Sequence, residues 1–123
     1  MPKHVMTVDD SRTMRDMVAY TLRAAGYQVT EAEDGQKALS TLRATQIDLI
    51  ITDLNMPNMD GVSLIRSLRA DSKYRAVPIL MLTTEGDPEK KAEGRAAAAT
   101  GWIVKPFDPE KLIDAVNRLC PLD

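Results

Sequence analysis

The chain has 123 residues, of which 44% are hydrophobic and 28% charged, a composition typical of one soluble folded domain. Its formal net charge of −2 is too small to indicate a nucleic acid or an anionic membrane as a partner. The single cysteine, Cys120, excludes an internal disulfide, and we interpret it as a solvent-side thiol at the end of the last helix. No signal peptide and no stretch of the roughly 20 apolar residues that span a bilayer are visible, so we expect a cytoplasmic protein.

Apolar runs of strand length alternate five times with segments of helical period. The expected strands cover residues 5–8, 27–31, 47–52, 78–82 and 102–104. The second of these is the most polar, which favours a place near the edge of a sheet, whereas the nearly continuous apolar run of the third suits a strand covered on both faces.

The first helical segment places apolar residues at helical spacing on one face, which we expect to point inward: Met14, Met17, Val18, Leu22 and Ala25. Asp34-Gly35 opens the second helix, and an Asp-Pro-Glu triplet opens the fourth at Asp87 and the fifth at Asp108. The fold class expected is therefore α/β, a doubly wound five-stranded parallel sheet with five helices. We expect one domain over residues 1–123 and no output domain.

Chemically active side chains follow four of the five expected strands. Asp9 and Asp10 follow the first strand, Asp53 the third, Thr83 the fourth and Lys105 the fifth. Ligands of open α/β sheets bind at these carboxyl ends of the strands. Oxygen donors without histidine or thiolate favour Mg²⁺ or Mn²⁺ over Zn²⁺. A carboxylate nucleophile beside a metal, a lysine and a hydroxyl matches phosphoryl transfer.

These residues resemble the receiver domains of bacterial response regulators, over essentially the whole chain. The resemblance rests on four blocks in the family's order: Asp9-Asp10, the segment from Asp53 to Gly61, Thr83, and Lys105-Pro106-Phe107. It implies the flavodoxin-like strand order 2-1-3-4-5. It also implies that Asp53 is the phosphoacceptor. It also implies that Mg²⁺ is bound by Asp10, by the side chain of Asp53 and by the backbone carbonyl of Asn55, with Asp9 acting through metal-bound water.

The resemblance further implies a switch around the site. Lys105 pairs with the phosphoryl group, Thr83 moves to hydrogen-bond it, and the Lys105–Pro106 bond is cis. Trp102 matches the aromatic switch position, where the ring changes rotamer as Thr83 moves. Asn55 and Glu85 lie where the family tunes the lifetime of the acyl phosphate.

Ala98 stands near a position where the family often has glycine. Since alanine favours continued helix by about 1 kcal/mol over glycine, we expect a longer or stiffer end to helix four.

The implied phosphodonor is a histidine kinase in another protein, since His4, the only histidine, has no companion motif. Helix four, strand five and helix five form the family's usual output surface. Here that surface is expected to present basic residues that suit an acidic partner segment, with glutamates interspersed: Lys90, Lys91, Arg95, Lys105 and Lys111 around Trp102, with Glu89 and Glu93.

Three functions stay open. The segment from Asp9 to Arg15 most resembles single-domain chemotaxis regulators, so the leading hypothesis is a monomer that binds a flagellar motor switch when phosphorylated. The second hypothesis is a phosphoryl sink or relay intermediate. The third is a Mg²⁺-dependent phosphatase with an aspartate nucleophile, although such enzymes usually carry that nucleophile after the first strand and have a cap domain. A flavodoxin-type electron carrier shares the architecture but would need a serine- and threonine-rich phosphate loop after strand one.

Overall fold

Five parallel strands form one sheet in the order β2-β1-β3-β4-β5 in the computed structural model, which describes residues 3–54, 56–84 and 88–122. The strands are β1 His4–Val8, β2 Gln28–Ala32, β3 Leu49–Asp53, β4 Ile79–Thr84 and β5 Gly101–Lys105. The predicted fold class and strand order are confirmed. The polar second strand is an edge strand, and every residue of the central β3 is buried.

Helices connect the strands and cover both faces of the sheet. They are α1 Arg12–Ala24, α2 Gly35–Ala44, α3 Gly61–Ala70, α4 Pro88–Ala96 and α5 Pro109–Leu119, with a short 3₁₀ helix at Ser72–Tyr74. Within the described part of the chain, none of these helices has both the length and the apolar character needed to cross a membrane.

Two apolar clusters stabilise this arrangement, one on each face of the sheet. The first packs α1 and α5 on the sheet through Val18, Leu22, Leu112 and Val116. The second packs α2 and α3 on the other face through Leu42, Val62, Ile65 and Leu68. The helical periodicity predicted most of the inward positions of α1 correctly. The prediction for Met17 is wrong, since this residue is 47% exposed.

Side-chain caps fix where several helices begin. Asp34 accepts a hydrogen bond from the backbone N–H of Lys37 at 2.9 Å, and Asp108 accepts one from Glu110 at 2.9 Å. Both caps were predicted from the sequence. The third predicted cap, Asp87, lies outside the described residues, although α4 does begin at Pro88.

The expected extension of helix four is wrong. The helix ends at Ala96, and Ala98 adopts a left-handed backbone with φ of 74°. The N–H of Ala99 donates to the carbonyl of Gly94 at 3.0 Å and that of Ala98 donates to Arg95 at 3.0 Å, the two bonds of a Schellman end. The tertiary structure therefore overrides the helix preference of alanine.

The interpretation of Cys120 as a solvent-side thiol is also wrong. Cys120 follows α5 and is 5% exposed, within the apolar cluster beneath α1 and α5. The hydroxyl of Tyr27 donates to its carbonyl at 2.9 Å and also bonds the Asn117 side chain. Burial raises the pKa of the Cys120 thiol, which makes it less reactive.

Candidate functional site

Three carboxylates meet where β1 and β3 end. Asp9 directly follows β1, Asp10 is the next residue, and Asp53 is the last residue of β3. Val8 of β1 pairs with Thr52 of β3 in parallel register, so the two strands end side by side at the same edge of the sheet. One oxygen from each of the three carboxylates lies within 4.8 Å of the others, and Asp9 and Asp53 are buried whereas Asp10 is exposed.

Lys105, at the end of β5, reaches into this acidic cluster. Its Nζ lies 3.0 Å from Asp53 Oδ1 and 3.4 Å from Asp9 Oδ2. Burial lowers the pKa of Lys105, but the carboxylates of Asp53 and Asp9 outweigh that effect and leave it raised. The lysine is therefore held as an ammonium. Its predicted place on the output surface is wrong, since the side chain turns toward the acids.

Asp9 is the most deeply buried acid of the site. Burial raises its pKa, and the nearby charge of Asp53 raises it further. A hydrogen bond of 2.9 Å from the N–H of Ser11 and the ammonium of Lys105 act in the opposite direction without cancelling the rise. The ionised form of Asp9 therefore destabilises the folded chain, and positive charge added nearby would reduce that destabilisation.

Gly61 packs closely against the backbone of Asp53 at the end of β3. The N–H of Gly61 donates to the carbonyl of Leu54 at 3.0 Å. A Cβ on Gly61 would lie only 2.2 Å from the carbonyl oxygen of Asp53, so no larger residue fits without moving that backbone. Sequence reasoning placed Gly61 in the family's segment but gave it no role, because this contact joins positions eight residues apart.

The loop after β3 is fastened to the start of α2. The amide of Asn58 donates to Asp34 Oδ2 at 3.0 Å, and the N–H of Gly35 donates to the carbonyl of Met59 at 3.3 Å. Asn58 itself has a positive φ of 67°, which asparagine tolerates better than most residues. Hydrogen bonds from the Lys37 N–H and from Asn58 lower the pKa of Asp34, so this cap stays ionised.

The residues predicted to act as a switch, Thr83 and Trp102, lie on β4 and β5. Thr83 is buried and pairs in register with Val104, one position beyond Leu82, the partner of Asp53. The Lys105–Pro106 peptide bond is cis.

Trp102 is 40% exposed and faces α4. The guanidinium of Arg95 lies 5.0 Å and the ammonium of Lys91 5.7 Å from the centre of its ring. Asn55 and Glu85, the expected rate-tuning residues, lie outside the described residues, as does the expected carbonyl ligand of Asn55.

The donor set fits a hard divalent cation. One oxygen from each of three carboxylates lies within 4.8 Å of the others, and these groups supply oxygen ligands only. Mg²⁺ typically takes one or two carboxylates and keeps several waters, and the exposed Asp10 leaves one side of the cluster open to solvent. Asp9, Asp10 and Asp53 are the residues that could hold such an ion.

The chain belongs to the response regulator receiver domain family, which matches residues 5–117. This is a family of phosphoacceptor domains. Two chemotaxis proteins are among its relatives. CheY-3 of Vibrio cholerae is 39% identical over 94% of this chain and 89% of its own length, and CheY of Pseudomonas aeruginosa is 37% identical over 94% of both.

Solved structures agree with this assignment. The structure of the chemotaxis response regulator CheY4 of Vibrio cholerae superposes with a TM-score of 0.90 and 49% identity, covering 97% of this chain and 99% of that one. The receiver domain of a signal transduction histidine kinase from Syntrophus aciditrophicus superposes with a TM-score of 0.90 and 33% identity, over 95% of this chain and 89% of that one. The same fold therefore occurs in a chemotaxis response regulator and in the receiver domain of a histidine kinase.

Proposed function

We propose that this receiver accepts a phosphoryl group from a histidine kinase onto Asp53, and that phosphorylation changes the surface of α4, β5 and α5 toward a protein partner. The observation that carries this proposal is the position of Asp53. Its carboxylate lies at the carboxyl edge of the sheet, 3.0 Å from the Lys105 ammonium and within 4.8 Å of oxygens of Asp9 and Asp10. A nucleophile, an acidic metal site and a fixed cation therefore share one small volume.

The chain's own groups account for most of the transfer. An oxygen of Asp53 attacks the phosphorus of a phosphohistidine; the phosphorus–nitrogen bond breaks as the phosphorus–oxygen bond forms, and the leaving imidazole keeps the electron pair and takes a proton. The N–H of Leu54 donates to Asp53 Oδ1 at 2.9 Å, which fixes the carboxylate plane for that attack. Lys105 then pairs with an oxygen of the transferred group.

A bound Mg²⁺ supplies charge neutralisation for the phosphoryl oxygens and for the acids that surround them. Asp10 and the side chain of Asp53 would hold it directly, the Asn55 carbonyl would complete the protein ligands, and Asp9 would act through water. Thr83 is the hydroxyl that moves to the phosphoryl group, and Trp102 changes rotamer with it. Asn55 and Glu85 then set how long the acyl phosphate lasts.

The proposed partner is the flagellar motor switch, which this receiver would bind as a monomer in chemotaxis. Relatives at 37–39% identity bear chemotaxis names, and the α4–β5 surface carries the cations Lys91 and Arg95 beside the half-exposed Trp102. Clustered cations around an aromatic ring suit an acidic peptide segment with an apolar anchor.

Intact mass spectrometry tests the chemistry. The chain is incubated with a small-molecule phosphodonor with and without Mg²⁺, alongside Asp53→Asn and the matched variant Asp108→Asn, which removes the exposed carboxylate that caps α5. We expect one added phosphoryl group in the natural chain and in Asp108→Asn, only with Mg²⁺, and none in Asp53→Asn. Addition to Asp53→Asn would refute the assignment of the phosphoacceptor.

The alternative function is a phosphoryl sink or relay intermediate. The likeness to the receiver domain of a signal transduction histidine kinase supports it, because that receiver belongs to a kinase. Binding of an acidic motor-switch peptide separates the two functions. Affinity that rises on phosphorylation supports the motor partner, whereas rapid transfer of the phosphoryl group to a second histidine protein, without peptide binding, supports the relay.

A further inference from the structure

Arg15 is a partly buried cation that the proposed chemistry does not use. It lies in the first turns of α1, and its side chain is only 15% exposed. Its Nη1 donates to the backbone carbonyl of Asp9 at 2.7 Å, and its Nε lies 3.7 Å from Glu31 Oε1 on β2. The guanidinium therefore bridges the edge strand and the peptide that joins the two acids Asp9 and Asp10.

The glutamate that pairs with Arg15 is itself held in place. Glu31 also pairs with Arg23 at 3.7 Å, and Arg23 donates to the Val29 carbonyl at 2.9 Å, so the glutamate is anchored from the α1 side as well. The hydrogen bond from Arg15 to Asp9 goes to the backbone carbonyl. Arg15 therefore orders the backbone of this turn.

We propose that Arg15 is a positioning residue for divalent-cation binding: by fixing the peptide between Asp9 and Asp10, it aims the exposed Asp10 carboxylate at the site. This inference rests on the proposed function, since it concerns the same metal site. Asp9 is already held on its other sides by the N–H of Ser11 at its carboxylate and by its own N–H on the carbonyl of Ala32 at 3.1 Å. The Asp9 carbonyl is the part of this turn that Arg15 fixes.

Removing Arg15 gives opposite results under positioning and under simple electrostatics. A cation near a dication site weakens binding, so Coulomb repulsion alone predicts that Arg15→Gln binds the divalent ion more tightly. Loss of positioning predicts weaker binding, by about tenfold, as is typical when the partner of a metal ligand is removed. Arg15→Lys keeps the charge but loses the planar fork, so we expect binding about threefold weaker than in the natural chain.

The test is a direct titration of the full chain with MnCl₂, followed by the electron paramagnetic resonance signal of the free ion, with MgCl₂ as competitor and no phosphodonor. Arg12→Gln is the matched control: it removes an exposed α1 arginine whose partner is Asp16, and we expect its affinity to stay within about twofold of the natural value. Urea unfolding of each variant identifies the folded ones. A merely structural role would lower stability without changing the affinity of the folded protein.

Unchanged or tighter binding by folded Arg15→Gln would overturn the inference. If that variant does not fold, Arg15→Lys decides, since natural affinity there would overturn positioning and weaker affinity would support it. If the natural chain binds neither ion, the proposed metal site fails and the inference fails with it. If the natural chain binds the divalent ion and the Arg15 substitutions leave its affinity unchanged, the positioning role of Arg15 is refuted and the proposed metal site is retained.

Discussion

Replacing Ala98 by glycine should stabilise the protein, although glycine is a poor helix former. Ala98 has φ of 74° just after α4, and its N–H and that of Ala99 close the helix end on the carbonyls of Arg95 and Gly94. Arg69 adds a hydrogen bond of 3.0 Å from its Nε to the Ala98 carbonyl. The left-handed conformation is therefore fixed from both sides, and the Cβ of alanine strains it.

The size of the effect follows from two opposing contributions. A residue with a Cβ is destabilised by roughly 1–2 kcal/mol in the left-handed region, and glycine removes that strain. Glycine also gives the unfolded chain more freedom, which costs about 0.4–1 kcal/mol. We therefore expect Ala98→Gly to raise the free energy of unfolding by about 0.7 kcal/mol. With a slope of about 1.5 kcal/mol per molar urea, the unfolding midpoint rises by about 0.5 M.

Urea unfolding at 25 °C measures this, and Ala96→Gly is the matched control. Ala96 is the last residue of α4, so glycine there should lower the free energy of unfolding by about 0.5–1 kcal/mol. The two substitutions are chemically identical and two residues apart, and they should act in opposite directions. Equal destabilisation by both would refute the left-handed helix end and restore the longer helix that the alanine run predicts.

Three further substitutions test the site and the surface beside it. Gly61→Ala should lower the free energy of unfolding by about 2 kcal/mol and slow phosphorylation, since the new methyl would lie 2.2 Å from the carbonyl oxygen of Asp53 at the end of β3. The control is Gly101→Ala, where the new methyl would make an ordinary contact of 3.5 Å. Asp9→Asn should raise the free energy of unfolding at pH 7 in the absence of divalent ions. In the natural protein the folded-state pKa of Asp9 is raised above 3.8, so ionisation of Asp9 lowers the stability as the pH rises from 3.8 through that folded-state pKa. The gain from the substitution should therefore vanish below pH 3.8. Arg95→Ala should lower stability by about 0.5 kcal/mol and red-shift the fluorescence of Trp102, the only tryptophan.

Each of these has a control and a contradicting result. For Gly61, similar losses of stability in Gly61→Ala and Gly101→Ala would show that the contact with the Asp53 carbonyl is not the cause of the loss. For Asp9, the exposed cap variant Asp108→Asn should show no comparable gain at pH 7, and a pH-independent gain in Asp9→Asn would exclude ionisation as the cause. For Arg95, the exposed α3 variant Arg66→Ala should leave the emission maximum unchanged. An equal shift in both arginine variants would contradict the ring contact.

The parts of the fold that follow from local pattern were predictable. Strand positions and the edge place of β2 follow from the length and polarity of apolar runs, because a central parallel strand is covered on both faces. The caps at Asp34 and Asp108 follow from residue type alone. The approach of Asp9, Asp53 and Lys105 also followed, since parallel strands end at one edge of the sheet.

The errors occurred where distant contacts override local preference. Helix four ends despite its alanines because the N–H of Thr100 bonds the Ile79 carbonyl at 2.8 Å and its hydroxyl accepts from the Ile79 N–H at 2.9 Å, which directs the chain into β5. Cys120 is buried because Tyr27, 93 positions earlier, donates to its carbonyl. No local window contains either partner. Arg15 was missed for a different reason: six residues beyond Asp9, it matches an ordinary surface position on an amphipathic helix.

The charges of the site link the proposed metal binding to the proposed phosphorylation. Oxygens of three carboxylates lie within 4.8 Å of one another, and the ammonium of Lys105 lies 3.0 Å from Asp53. The pKa of Asp9 is raised, first because its carboxylate is buried and next because Asp53 is near. A divalent cation would add positive charge to this cluster, so its binding should stabilise the fold by an amount that grows with the logarithm of the ion concentration relative to the dissociation constant. A phosphoryl group on Asp53 would then bring further negative charge beside Lys105, so we expect the phosphorylated state to depend on the bound cation as well as on this lysine.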